Sequence, residues 1–225
     1  MCAPSQPGSV GPAKLADAVS AERLLCGPDE IAAALARLAA EEAVSLPLLG
    51  PEACATLVAA AEALSYRQAR PVVGEGDRRV LQDFEICMNP AAETPFHGLA
   101  KALEGLIARG LARLDPPPLP TPPPLNDLVV QRYPVGSRGI TPHRDHLRYR
   151  DLVALVNLAG RARFFICPDR SGREAREIPL PPGSVLLMRA PGFAGRSDRP
   201  FHMLSEVTET RISLGLRHDV QREQP

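Results

Sequence analysis

The residues of this chain whose types and spacing could do chemistry lie in Gln131-Arg132-Tyr133 and Thr141-Pro142-His143-Arg144-Asp145. In an extended segment side chains alternate faces, so His143 and Asp145 point one way and Arg144 the other. One imidazole and one carboxylate converging from a His-x-Asp are two of the three ligands of a facial metal site. Alone, the pattern also fits a surface loop, because the chain has five histidines. A third ligand is available at His202, 57 residues beyond Asp145, in Pro200-Phe201-His202-Met203-Leu204. Alternation turns His146 away from the face of His143. His97 opens a helix and His218 ends a strand, and both read as surface or capping residues.

A second group follows in Arg211-Ile212-Ser213-Leu214-Gly215-Leu216-Arg217. Two arginines six apart on a strand share a face, and Ile212, Leu214 and Leu216 occupy the other. A guanidinium is a planar fork suited to carboxylates. Facing a metal, two of them could hold both ends of a dicarboxylate; on an exposed face they would make ordinary cross-strand ion pairs.

Tyr133, His143-x-Asp145, His202 and Arg211-x5-Arg217, in that order, resemble the AlkB-like branch of the Fe(II)/2-oxoglutarate dioxygenases. The similarity covers roughly residues 127–218, and the paired arginines are its most specific part. The resemblance implies that His143, Asp145 and His202 ligate Fe(II). It implies that Arg211, helped by the Tyr133 hydroxyl, pairs with the distal carboxylate of 2-oxoglutarate, and that Arg217 stands near the metal-bound end. Gln131 occupies a position where the family often has Asn, a hydrogen-bond donor to the cosubstrate. The implied reaction consumes dioxygen and 2-oxoglutarate, releases succinate and carbon dioxide, and hydroxylates or oxidatively demethylates a substrate.

Two departures bear on the substrate. The chain has no Trp, and only Phe84, with Tyr66 before it, is offered for stacking on a base. The interval from His202 to Arg211 is short for an extra loop. A small-molecule or protein substrate is therefore expected; alkylated nucleic acid and a catalytically silent binding barrel are the alternatives.

The elements that must position these residues are legible in outline. Residues 1–25 read as a flexible N-terminus and 26–225 as a single domain, with helices and a hairpin over 26–115. Asp29 is a candidate N-cap for a helix from Glu30 to Glu42, and Pro51 opens a second that runs to about Ala63. Pro71–Val73 and Arg79–Cys87 predict two strands joined through Gly74-Glu75-Gly76-Asp77. Phe96 to Leu114 predicts an amphipathic helix, with Leu99, Leu103, Leu106 and Ile107 on one face. Seven prolines in residues 116–124 predict a stiff extended connector rather than a partner-docking segment, since structured regions flank it. Strands are expected near 127–133, 150–158, 161–167, 175–180, 184–189, 200–207 and 211–218, separated by Gly and Pro turns. The fold class is α+β: a jelly-roll core, the double-stranded β-helix the resemblance implies, with an N-terminal helical layer.

Composition bounds the rest. Lys+Arg and Asp+Glu balance at 26 each, so no global basic field advertises nucleic acid or an anionic membrane. Locally, nine arginines stand against three acids from Arg132 to Arg173, either as solvated edges or as an electropositive rim that includes Arg144, Arg148, Arg161 and Arg163. Five cysteines without a C-x-x-C pair, no secretory leader pattern at Met1–Pro7 and no long apolar run lead to the expectation of a cytoplasmic protein without a membrane span.

Overall fold

Leu152-Val153-Ala154-Leu155-Val156-Asn157-Leu158 is apolar at six of seven positions, and a strand buries both its faces only between two layers. That is its place in the computed structural model, which describes residues 24–222. Leu152, Ala154, Val156 and Leu158 pack into a core beneath the helices, while Val153 and Leu155 belong to a second core between two sheets. The one polar member, Asn157, is fully buried, and its amide donates to the carbonyls of Leu180 (2.9 Å) and Gly160 (3.2 Å).

In chain order the elements are α1 (Pro28–Glu41), β1 (Ala43–Pro47), α2 (Pro51–Glu62), β2 (Arg67–Gln68), β3 (Val72–Val73), β4 (Val80–Asp83), β5 (Glu85–Met88) and α3 (Pro95–Leu111). Then come β6 (Asp127–Tyr133), β7 (Gly139–His143), β8 (Tyr149–Ala159), β9 (Arg163–Cys167), β10 (Arg176–Ile178), β11 (Ser184–Arg189), β12 (Phe201–Ser205) and β13 (Arg211–Asp219). One sheet has the order β1-β11-β8-β13-β6-β5-β2, the other β10-β9-β12-β7-β4-β3, and neighbours are antiparallel. The helices cover the outer face of the larger sheet, and the smaller sheet closes its inner face. Residues 116–124 lead from α3 to β6 and are anchored by the buried Leu119.

Several local expectations change. The cap of α1 is Gly27, with Pro28 in the first turn, and Gly27 N–H donates to the Glu30 carboxylate at 2.9 Å; Asp29 lies inside the helix. Ala43–Pro47, for which no strand was expected, pairs with β11 as an edge strand that ends at its proline. The predicted strand 79–87 divides at Phe84, so β4 joins the smaller sheet and β5 the larger. The expected loose N-terminus falls mainly on residues 1–23, outside the described ones; Leu24 bridges Leu49 and Leu25 N–H donates to Leu48 at 2.9 Å.

The largest change is β7. Residues 139–143, absent from the strands expected from the sequence, form a strand between β4 and β12. Gly139 makes this possible. Its φ is +73°, and a Cβ there would stand 1.9 Å from the Leu204 carbonyl oxygen, so only glycine lets the two strands approach.

Candidate metal and anion site

The pairing of β7 with β12 places His143 directly opposite His202, with ring centroids 4.2 Å apart. Asp145 follows two residues after the end of β7. One ligand atom from each of His143, Asp145 and His202 lies within 4.8 Å of the others. His143 Nδ1 faces the Thr141 carbonyl at 3.0 Å and His202 Nδ1 the Pro200 carbonyl at 3.4 Å. Nδ1–H donation to those oxygens leaves both Nε2 lone pairs free, the arrangement that prepares imidazoles as metal ligands.

The electrostatics agree. Burial, reinforced by the neighbouring His202, pushes His143 down from 6.5 to about 3, and burial also lowers His202, so both rings are neutral at pH 7. For Asp145 burial acts upward, but Arg217 and the two imidazoles outweigh it and hold the carboxyl at about 2. Its Oδ2 is buried without a hydrogen-bond partner among the described residues. Two neutral imidazoles and a charged carboxylate with an orphaned oxygen fit a divalent cation. The metal-free protein should accordingly lose stability in acid. The unfolded chain protonates the histidine near 6.5 while the folded one resists until about 3, so stability is full above that window and falls as pH drops through it. Asp145, depressed from 3.8 to about 2, adds a further loss below pH 4. Urea midpoints at pH 7.5 and 5 will check this: the midpoint should drop, and drop less in His143→Gln. Equal midpoints would show that the rings are not buried neutral.

The facing wall comes from β13 and β6, where Arg211 lies opposite Tyr133, Ser213 opposite Gln131 and Arg217 opposite Asp127. As alternation requires, Ile212, Leu214 and Leu216 enter the core under the helices while the arginines face the space between the sheets. Arg211 is 3% exposed. Its Nη1 donates to Ser213 Oγ at 2.8 Å and its guanidinium lies 5.6 Å from the Tyr133 ring centroid. Among the described residues no carboxylate pairs with it. The other buried arginines have partners: Arg189 meets Glu42 (3.1 Å) and Asp198 (2.5 Å), and Arg217 meets Asp145 (3.6 Å) and Asp127 (3.8 Å). A buried charge without a counter-charge is costly, so the place beside Arg211 is one where an anion is strongly favoured. Burial raises Tyr133 to about 12, and its hydroxyl keeps the proton it would donate to such an anion.

Gln131, Tyr133, His143, Asp145, His202, Arg211 and Arg217 all line one pocket, together with Ser213 and an apolar set that includes Leu155 and Phe164. Ser213 was missed in the sequence, although its parity with Arg211 and Arg217 was the available signal. His218, expected at the surface, is 8% exposed, and its Nδ1 lies 2.7 Å from Asp151 Oδ2. Arg144 is exposed, stacked over Phe201 with 4.0 Å from guanidinium carbon to ring centroid, and does not line the pocket.

Of the two readings of the arginine cluster, solvated edges and an electropositive rim, the ion pairs favour the first. Arg148 pairs with Asp219 (3.3 Å), Arg161 with Glu209 (3.2 Å), and Arg163 with Glu177 and Glu206 (2.7 Å each). All four of these acids lie outside the 132–173 window in which charge was counted. Phe84 is not available for stacking either. It is 5% exposed and packs on the Tyr133 ring at 4.8 Å, while Tyr66 lies under Arg132 and donates its hydroxyl to Ala61.

No family model matches the chain, and no curated protein matches it. Solved structures do. A prolyl hydroxylase from Trichoplax adhaerens, in complex with a hypoxia inducible factor oxygen degradation domain peptide, superposes with a TM-score of 0.60 at 13% identity, over 88% of this chain and 92% of that one. An oxidoreductase of the 2OG-Fe(II) oxygenase family from Burkholderia pseudomallei gives 0.59 at 15% identity, over 87% and 92%. OsALKBH1 gives 0.53 at 17% identity, over 78% and 97%. The chain has the double-stranded β-helix fold of the 2-oxoglutarate/Fe(II) oxygenases. In this double-stranded β-helix the His143–Asp145–His202 cluster comes from the smaller sheet and the loop that follows β7. Arg211 and Tyr133 come from the larger sheet, so both groups face the same space between the two sheets. No helix among the described residues is long and apolar enough to cross a membrane.

Proposed function

We propose that this protein is an Fe(II)- and 2-oxoglutarate-dependent oxygenase that hydroxylates or oxidatively demethylates a small-molecule or protein substrate. The observation that carries the reading is a buried Arg211, paired with no carboxylate among the described residues, sharing one pocket with a His-Asp-His cluster. Iron with 2-oxoglutarate and dioxygen supplies oxidation of an unactivated C–H bond, with succinate and carbon dioxide as the coproducts. The chain supplies placement. His143 and His202 would present Nε2, and Asp145 a carboxylate oxygen, to the metal. Arg211 would grip the distal carboxylate of 2-oxoglutarate with its fork, Tyr133 would donate its hydroxyl to the same group, and Gln131 would donate an amide hydrogen. Ile140, Leu155, Phe164 and Leu204 line the same pocket and keep water from the reacting groups.

A nucleobase substrate is disfavoured by two observations: three of the four rim arginines are ion-paired, and Phe84 is buried. The test is succinate release by iron-loaded protein given 2-oxoglutarate and air, with and without an alkylated oligonucleotide at low and at physiological salt. Slow iron-dependent succinate formation that the oligonucleotide does not accelerate is expected. Acceleration that fades with salt would establish nucleic acid as the substrate. Absence of succinate in every arm would leave a silent barrel.

A further inference from the structure

Arg217 stands 3.6 Å from Asp145 Oδ2 through its Nε, yet both of these buried atoms lack a hydrogen-bond partner among the described residues. An arginine free to move beside a buried carboxylate closes onto it as a two-pronged hydrogen-bonded pair at about 2.7–2.9 Å. Here the pair is held open, and the structure shows by what. Asp127, fully buried at the start of β6, faces Arg217 in register from the other side, with its Oδ2 3.8 Å from Arg217 Nη1. Arg222 lies 2.8 Å from Asp127 Oδ1 as an ion pair, and neither Asp127 oxygen accepts a hydrogen bond among the described residues. The Tyr149 ring lies 5.2 Å from the Arg217 guanidinium carbon. The guanidinium also folds back along its own strand into room left by Gly215, where a Cβ would stand 2.8 Å from Nη1.

We infer that Asp127 and Gly215 are positioning residues: they hold the Arg217 guanidinium between two carboxylates, so that Asp145 keeps an oxygen for the metal. Resting on the metal assignment proposed above, this explains why an arginine beside a metal-ligating carboxylate does not compete with the metal for it. Arg217 neutralises Asp145 at a distance without occupying its lone pairs. Without Asp127 the guanidinium has one carboxylate left and closes on it; with a methyl group at 215 it is pushed off its resting place.

The test is Mn(II) binding, followed by calorimetry and by the loss of the free-ion EPR signal, with no turnover required. Wild type should bind one ion and His143→Ala none. Asp127→Asn should bind about tenfold to a hundredfold more weakly, the usual effect of removing a partner that orients a ligand. Removing the competitor should restore binding, so Asp127→Asn/Arg217→Met should match Arg217→Met alone. Gly215→Ala, which leaves every charge in place, should weaken binding in the same direction and keeps the test open if Asp127→Asn does not fold. Wild-type affinity in both Asp127→Asn and Gly215→Ala would overturn the inference and leave the metal assignment standing. So would an Asp127→Asn loss of equal size in the Arg217→Met background, since Asp127 would then act independently of Arg217. Ion binding that survives His143→Ala would instead refute the metal assignment, and this inference with it.

Discussion

Replacing Arg211 by alanine is expected to weaken 2-oxoglutarate binding by roughly thirtyfold or more. A buried charge pair that loses one partner costs roughly 2–5 kcal/mol, and about 1.4 kcal/mol is a factor of ten. The measurement is an anaerobic titration of iron-loaded protein, followed by the visible absorption that 2-oxoglutarate gives on iron. Lysine at 211 should recover part of the affinity, because it keeps the charge but not the fork. The same uncompensated burial makes a second, opposite expectation for the empty protein. Arg211→Met removes a charge that no carboxylate balances among the described residues, so the metal-free variant should be at least as stable as wild type. Equal 2-oxoglutarate affinity in wild type and Arg211→Ala would mean that the cosubstrate is held elsewhere or not used. Arg217 is already engaged by Asp145 and Asp127, so its loss should disturb turnover more than cosubstrate binding.

Asp145→Ala and His143→Ala should each abolish iron loading and oxygen-dependent succinate formation. Apart from the Arg217 guanidinium 3.6 Å from Asp145, both side chains are directed at the cluster. The Nδ1 of His143 is spent on the Thr141 carbonyl, its other nitrogen faces His202 and Asp145, and one Asp145 oxygen is orphaned. Metal content after anaerobic reconstitution and desalting, together with succinate release, decides the matter. Normal turnover in Asp145→Ala would end the assignment. Nickel, cobalt or zinc should bind the same three residues in iron's place, since a site of imidazoles and a carboxylate accepts several divalent ions.

Whatever depended on neighbours in sequence could be read without a structure. Alternation placed His143 with Asp145 and Arg211 with Arg217, and turned Arg144 and His146 aside, because the side-chain period of an extended chain is a local property. The apolar run of β8, interrupted by Asn157, could be read as a strand and the amphipathic period of α3 as a helix, because both patterns are local. What sequence could not decide is what depends on partners far along the chain. His143 meets His202 only because β7 lies between β4 and β12, and β7 itself exists because Gly139 lets Leu204 approach. Which charges are free was beyond reach for the same reason. Arg163 and Arg211 are alike as letters, yet Glu177 and Glu206 neutralise the first at the surface, while the second is buried beside a serine hydroxyl and a phenol, with no carboxylate paired to it among the described residues. A charge count sums over the chain, whereas the energy of a charge is set by the few ångströms around it, and only the tertiary structure places those neighbours.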